Sequence, residues 1–253
     1  MDIGGQVRQA LKSSHLPVPS SAWLTSLITA RNPPPPLPSL VATAKARLLA
    51  ADLTLPGLLD PPQAVSFPRG ITNAESVHST LPSDIQVQVV DIENLTRSRW
   101  EQVEELEALE RGEGTKGREI IRLPTAAADD GGVDLGDGAA TQNPARAASV
   151  APGGRASGPA MPKNATHRLV LQDCRGQNVY AVELKRIDKI GVGVTAIGEK
   201  ILLKKGTIVA RGTLLLEPTN CVLLGGRIEA WQRPWLEGRI KRLKESVGAD
   251  RPN

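Results

Sequence analysis

Aromatic side chains are scarce in this chain of 253 residues, where they make up 2% of the sequence. Proteins that bind single-stranded nucleic acid tightly usually offer several aromatic rings on which the bases stack. Here only one ring, that of Tyr180, falls within the strand-like part of the sequence. The scarcity therefore disfavours a protein whose main task is to bind single strands.

Residues that bind metals or act as nucleophiles are also few. The chain has two cysteines and three histidines, which share no neighbourhood in the sequence. Cys174 and Cys221 occupy apolar, strand-like stretches, where cysteine is commonly a small buried side chain. Gly191, Gly193 and Gly198 do not have the spacing of a dinucleotide-binding loop. We therefore predict no metal site, no cofactor and no catalytic activity.

Long apolar runs are absent. The first twenty residues contain no run of signal-peptide length, and no segment reaches the roughly 18 apolar residues that a membrane span needs. We therefore expect no contact with a membrane.

Charge is unevenly distributed along the chain, although the net charge is only +4. Residues 83–111 contain three basic and eight acidic residues, whereas residues 166–227 contain ten basic and five acidic ones. This split favours docking against a polar partner over a uniformly basic nucleic-acid surface.

Residues 1–55 are predicted to form a small module of three amphipathic helices. In the second helix, Trp23, Leu24, Leu27 and Ile28 recur at helical spacing after serines that can cap it. Residues 56–81 show no sustained periodicity, so we interpret them as a linker or strap.

Alternation of apolar and polar residues predicts a sheet domain over residues 82–228. In its first strand, Ile85, Val87 and Val89 face one side; a second valine at position 90 then shifts the phase to Ile92, which indicates a bulge. Short strands with a helix-like link at 187–196 favour an OB-fold barrel, preceded by the helical module and closed by a C-terminal helix within 229–253. The further strands are predicted at 168–172, 179–184, 200–204, 207–211, 214–217 and 221–224. An acidic helix is predicted at 98–111, with Trp100, Val103, Leu106 and Leu109 on a face that drifts around the helix.

The barrel pattern is interrupted by an insertion at residues 112–165. Half of this segment is glycine, alanine and proline, and only residues 118–123 have the character of a strand. Such a composition has too little apolar surface to offset the entropy of ordering the chain. We therefore expect a long disordered insertion, and a loop of this length within a compact domain is commonly functional.

Several stretches together resemble one known family, the fungal form of the RecQ-mediated genome instability protein 1 family. The resemblance is carried by residues 200–230 (KILLKKGTIVARGTLLLEPTNCVLLGGRIEA), 169–184 (LVLQDCRGQNVYAVEL), 45–53 (KARLLAADL) and 235–243 (WLEGRIKRL), together with Trp23 and Leu24. It covers most of the chain except the insertion, and it depends on the order and spacing of the matches.

The resemblance implies a non-catalytic nuclear subunit: a helical module plus an OB-fold that joins topoisomerase III to a RecQ-type helicase in the complex that dissolves recombination intermediates. It also implies that the insertion contacts the gate of the topoisomerase. Lys200 starts a strand, where its side chain is expected to project from the barrel and to contact a partner. The candidate partner-binding residues are Lys200, Leu202, Lys204, Arg118, Ile120, Ile121 and Leu123.

The alternative function is an OB-fold that binds single-stranded nucleic acid. With one ring available for stacking, binding would depend on phosphate contacts and would be weak and sensitive to salt. The candidate nucleic-acid contacts are Lys185, Arg186, Lys189, Lys205 and Arg211.

Overall fold

A computed structural model describes residues 2–113 and 165–248 of the chain. The prediction of a disordered insertion at 112–165 falls almost entirely on residues outside this part and stays a prediction. The helices are α1 (Ile3–Ser13), α2 (Ser21–Thr29), α3 (Leu37–Ala50), α4 (Arg99–Glu110), α5 (Glu229–Glu237) and α6 (Arg239–Val247). The strands are β1 (Ser79–Thr80), β2 (Ile85–Asn94), β3 (His167–Gln172), β4 (Asn178–Glu183), β5 (Lys200–Leu203), β6 (Ile208–Ala210), β7 (Thr213–Leu216) and β8 (Cys221–Gly225).

Helices α1 to α3 share a small apolar core, as the amphipathic pattern predicted. Ser20 caps α2, because its hydroxyl accepts a hydrogen bond from the backbone N–H of Trp23 at 3.2 Å. The stripe on α2 turns Leu24 and Leu27 inward, where both are buried. The other buried members of this core are Val7, Leu11, Leu16, Leu40, Ala44, Leu48 and Leu58.

The strands form one curled sheet in the order β1-β6-β7-β4-β3-β2-β5-β8. Only four residues separate β5 from β6, yet β5 pairs with β2 and β6 pairs with β7. Because so short a connection cannot reach across an open sheet, the sheet must curl until these neighbours meet. The result is the predicted OB-fold barrel, with β4 and β7 as its parallel pair.

The predicted bulge in β2 is confirmed. Val89 pairs with Leu171 and Asp91 pairs with Val170, which leaves Val90 without a partner in the register between β2 and β3. Val89 and Ile92 consequently both face the barrel core, at 0% and 4% exposure.

Residues 56–81 run across the barrel as a strap. The backbone N–H of Phe67 donates to Asp173 at 2.8 Å, and Phe67 and Ile71 are buried in the barrel core. The strap ends in β1, a short strand that the sequence pattern did not predict and that pairs with β6.

The C-terminal segment differs from the single helix predicted at 229–247, because it breaks into α5 and α6 at Gly238. Pro234 lies inside α5, not in its first turn. Gly238 has φ −84° and ψ 3°, which are not helical values. Helix α6 packs on α4, where the Nζ of Lys244 lies 2.7 Å from a carboxylate oxygen of Glu107.

On α4, Val103 is buried, whereas Trp100 is 51% and Leu109 is 55% exposed. One local prediction was wrong. Residues 187–196 form a series of turns, not a helix-like link. Gly191 and Gly193 lie within this stretch, and its turns are closed locally by the N–H of Ile190 on the carbonyl of Ile187 and the N–H of Val194 on that of Gly191.

Candidate functional site

Lys200, predicted to project toward a partner, is instead fully buried. Its neighbours Ile201 and Leu203 belong to the barrel core, so the period of two does direct Lys200 to the outer face of β5. That face, however, is covered by the helical module, and the Nζ of Lys200 donates to the backbone carbonyl of Gly198 at 2.6 Å. The expectation that this side chain is accessible was wrong.

Leu202 lies on the same strand as Lys200, and Lys204 directly follows the end of that strand. Leu202 is 3% exposed and borders a cleft of about 380 Å³ that Leu16 and Val18 of the N-terminal region also line. Lys204 is exposed, and its Nζ donates to the carbonyl of Thr219 at 2.9 Å. Of the three barrel residues predicted to bind partners, only Lys204 is therefore accessible.

A buried polar cluster joins the helical module to the barrel. Gln88 of β2 accepts a hydrogen bond from the backbone N–H of Leu53 at 3.0 Å and donates to the carboxylate of Asp52 at 2.7 Å and to Gln172 at 2.9 Å. Burial lowers the pKa of Lys200 from 10.5 to about 8, although the charge of Asp52 acts in the opposite direction. These residues hold the two parts of the protein together and are not available to a partner.

The predicted nucleic-acid contacts lie in three different connections. Lys185, Arg186 and Lys189 lie between β4 and β5, Lys205 lies between β5 and β6, and Arg211 lies between β6 and β7. All of them except Arg186 are exposed.

Arg186 serves a buried carboxylate. Glu183 accepts hydrogen bonds from Arg186 at 2.9 Å and from the backbone of Ile187 at 3.0 Å, and it contacts Nδ1 of the fully buried His167 at 2.7 Å. Burial acts to raise the pKa of Glu183, but the hydrogen bonds and charges around it outweigh burial and lower the pKa. Arg186 is thus engaged within the fold, while the exposed Lys185 pairs with Glu217 at 2.9 Å.

The insertion leaves the fold after α4 and returns just before β3. Its return is fixed to the barrel, because the backbone of Thr166 donates to the hydroxyl of Thr96 at 2.8 Å and accepts from the N–H of Leu95 at 2.9 Å. The predicted partner-binding residues Arg118, Ile120, Ile121 and Leu123 lie outside the described residues.

A groove of about 170 Å³, which the sequence did not predict, lies between the barrel and the C-terminal helices. Trp235 lines the groove, and its Nε1 donates to Asp91 at 2.7 Å. Arg239 and Arg242 lie over the Trp235 ring, at 6.0 and 5.4 Å from its centroid. We call this feature the arginine groove; its charged residues are Asp91, Glu93, Arg99, Arg168, Arg239 and Arg242.

The arginine groove continues onto the outer face of β3 and β4. Arg168 lines the groove, pairs with Glu93 at 2.5 Å, and places its guanidinium 5.0 Å from the centroid of the Tyr180 ring. The spacing of Trp235, Arg239 and Arg242 at i, i+4 and i+7 was the sequence signal for one shared face.

Within residues 2–113 and 165–248, the side chains of His, Cys, Asp and Glu form no group of three or more that could hold a metal ion. In the same part of the chain, no helix has both the length and the apolar character that crossing a bilayer requires.

The fold and these surfaces define a class of protein, an OB-fold barrel with a helical module fixed to its outer face. A family model described as "RMI1, N-terminal OB-fold domain" matches residues 67–239, and one described as "RMI1, N-terminal helical domain" matches residues 11–56. The chain is 31% identical over 172 residues to RecQ-mediated genome instability protein 1 of Schizosaccharomyces pombe, over 68% of each protein. It therefore belongs to the RecQ-mediated genome instability protein 1 family of genome-maintenance proteins, which confirms the resemblance.

Proposed function

We propose that this protein is a non-catalytic scaffold of the nucleus that binds topoisomerase III and a RecQ-type helicase and promotes the dissolution of recombination intermediates. The observation that carries the proposal is the family match over both folded parts of the chain, the helical module and the barrel. The name of the fission yeast relative refers to RecQ, which supports a role in the same pathway.

The way in which the two parts are joined supports a scaffold. A scaffold must hold its binding surfaces in a constant relative position, because partners bound to a loosely tethered pair of modules would not be oriented. Gln88 links Asp52 and Leu53 of the module's end to the barrel through buried hydrogen bonds. Gly226 brings the barrel so close to the module that an added Cβ would lie 2.4 Å from the carbonyl oxygen of Leu49.

The insertion is the element that we propose to contact topoisomerase III. It is anchored between α4 and β3, and its Arg118, Ile120, Ile121 and Leu123 are the proposed contacts. A loop that is held at both ends can follow a partner whose gate opens and closes, and the entropic cost of closing such a loop grows only logarithmically with its length.

The experiment that tests this function is co-purification of the full chain with topoisomerase III and with a RecQ helicase from the same organism, each tested separately. We expect both to be retained, and we expect Lys204→Glu to weaken retention where Lys200→Met does not, because only Lys204 is accessible. Retention of neither enzyme would contradict the scaffold proposal.

A second function, weak contact with single-stranded nucleic acid, is favoured by one observation. Tyr180 is 51% exposed on the outer face of β4, and the guanidinium of Arg168 lies beside its ring. One ring supplies little stacking, so we propose this contact as auxiliary to the scaffold.

A further inference from the structure

The arginine groove contains four guanidinium groups and two carboxylates, and both carboxylates are already engaged. Glu93 pairs with Arg99 at 2.8 Å and with Arg168 at 2.5 Å. Burial acts to raise the pKa of Glu93, but the hydrogen bonds and charges of these two arginines outweigh burial and lower the pKa. Asp91 accepts hydrogen bonds from Trp235 and from its neighbour's backbone N–H. The groove as a whole therefore carries an excess of positive charge.

This excess is located on α6. Arg239 donates only a long hydrogen bond of 3.4 Å to Gln102, and Arg242 donates to the backbone carbonyl of Trp235 at 2.6 Å. Neither forms an ion pair with a carboxylate of the described residues. Burial lowers the pKa of Arg239, and Arg242 adds to this effect while Glu105 and Asp91 oppose it. A half-buried guanidinium without an ion pair is unfavourable, and an incoming anion would relieve that cost.

We propose that the arginine groove binds an acidic segment of a partner protein, through the carboxylates of its aspartate or glutamate side chains. The guanidinium fork matches a carboxylate with two parallel hydrogen bonds, so Arg239 and Arg242 can each receive one such group. The inference rests on the proposed scaffold function only in assigning the acidic segment to a partner protein.

The engagement of Trp235 and the size of the groove favour a peptide over a nucleic acid here. Two guanidiniums already lie over the Trp235 ring, and its Nε1 is engaged, so this ring is a poor stacking platform for a base. The volume of about 170 Å³ lies below the roughly 300 Å³ at which small-molecule sites begin, and it suits side chains.

The test uses the full chain and a fluorescein-labelled decapeptide of alternating glutamate and glycine, with binding followed by fluorescence anisotropy. The control probe replaces every glutamate by glutamine. We expect the acidic probe to bind, to weaken as salt rises, and to exceed the neutral probe at least about tenfold, since a hydrogen-bonded charge pair contributes at least that factor.

Two variants alter the groove in opposite ways. Arg242→Gln removes an exposed guanidinium, whereas Ser246→Glu adds a carboxylate at an exposed groove position and so competes for the arginines from within the chain. Each should weaken the acidic probe about threefold to fivefold, which is the range for a charge pair that is largely exposed to solvent. Arg233→Gln is the matched control, because Arg233 lies on α5, pairs with Glu237 and does not line the groove. It should change affinity by less than about twofold.

Circular dichroism establishes that each variant is folded, and Ser246→Glu keeps the test valid even if Arg242→Gln is not. Equal binding of the acidic and neutral probes would overturn the proposal, as would equal losses in Ser246→Glu and Arg233→Gln. A twenty-nucleotide oligothymidine serves as the competing ligand. The proposal would also be overturned if this oligothymidine bound more tightly than the acidic peptide and if the groove variants lowered the affinity for the oligothymidine but not for the peptide. The peptide assay contains neither topoisomerase III nor a helicase, so its result is independent of the co-purification. If the peptide bound but neither enzyme were retained, the scaffold function would be rejected and the proposed peptide site in the groove would stand.

Discussion

Replacing Lys200 by methionine should stabilise the protein at pH 7, because methionine has a similar length and no charge to desolvate. Lys200 is 0% exposed and its pKa is lowered from 10.5 to about 8. That difference corresponds to about 3 kcal/mol of stability lost by holding the ammonium group in the fold. Against it stands the lost hydrogen bond to the carbonyl of Gly198, which costs about 1–2 kcal/mol. We therefore expect a net gain of about 1–2 kcal/mol.

The gain in stability should change with pH, because Lys200 has a lower pKa in the folded protein than in the unfolded chain. Lys200 binds its proton less tightly in the folded protein than in the unfolded chain. The parent protein therefore becomes more stable as pH rises from about 8 to 10.5, and this added stability is lost as pH falls back to about 8. Lys200→Met lacks this contribution, while the other titrating groups are common to both proteins. The difference between variant and parent should shift by about 3 kcal/mol and reverse sign at high pH.

The assay is urea unfolding followed by circular dichroism at pH 7, 8.5 and 10, with Lys204→Met as the control. Lys204 is exposed, so its replacement should leave the free energy of unfolding within about 0.5 kcal/mol of the parent at each pH. A Lys200→Met difference that stayed constant with pH would show that Lys200 is charged and solvated in the folded protein, and it would refute the buried arrangement.

Three further predictions concern the insertion, the module joint and nucleic acid. Replacing residues 114–164 by a short Gly/Ser linker should abolish stimulation of topoisomerase strand passage. The thermal melting temperature should stay within a few degrees of the parent's. Undiminished stimulation would show that the insertion is a passive spacer. Gly226→Ala should destabilise the protein by at least about 2 kcal/mol in urea unfolding, because the φ of Gly226 is +95° and the new Cβ would meet Leu49. The control Gly225→Ala should cost about 1 kcal/mol, because Gly225 has φ +83° but no neighbour within 4 Å. Equal losses in the two variants would argue against the close contact between Gly226 and Leu49. Affinity for an oligothymidine, measured by anisotropy, should be weak and collapse at high salt, and salt-resistant binding that is lost in Tyr180→Ala would favour the nucleic-acid function over the scaffold.

The barrel strands could be predicted because their information is local. Apolar residues at every second position identify the inward face of a strand without reference to the rest of the chain. If both Val89 and Ile92 are to stay buried, the extra valine at position 90 requires a bulge. The start of α4 is equally local, since Ser98 and Glu101 satisfy each other's backbone N–H groups across one turn. β1, in contrast, was missed because two residues carry no measurable alternation.

The helix break at Gly238 illustrates a boundary that periodicity could not define. Trp235 and Leu243 follow a helical pattern through the break, yet the backbone leaves the helical region at Gly238. An added Cβ at Gly238 would lie 2.8 Å from the guanidinium of Arg242. Helix α6, which begins after this break, packs on α4, and the pattern alone does not report that contact.

The sequence by itself determined the order of the strands along the chain, their inward faces, the helical module and the family. Only the tertiary structure decided which outward-facing residues are accessible. A period of two assigns Lys200 and Leu202 to the outer face of β5. Whether a second layer covers that face depends on residues more than a hundred positions away, such as Asp52 and Leu16. The arginine groove has the same origin, since β2, β3, α4, α5 and α6 each contribute to it and no local pattern records their convergence.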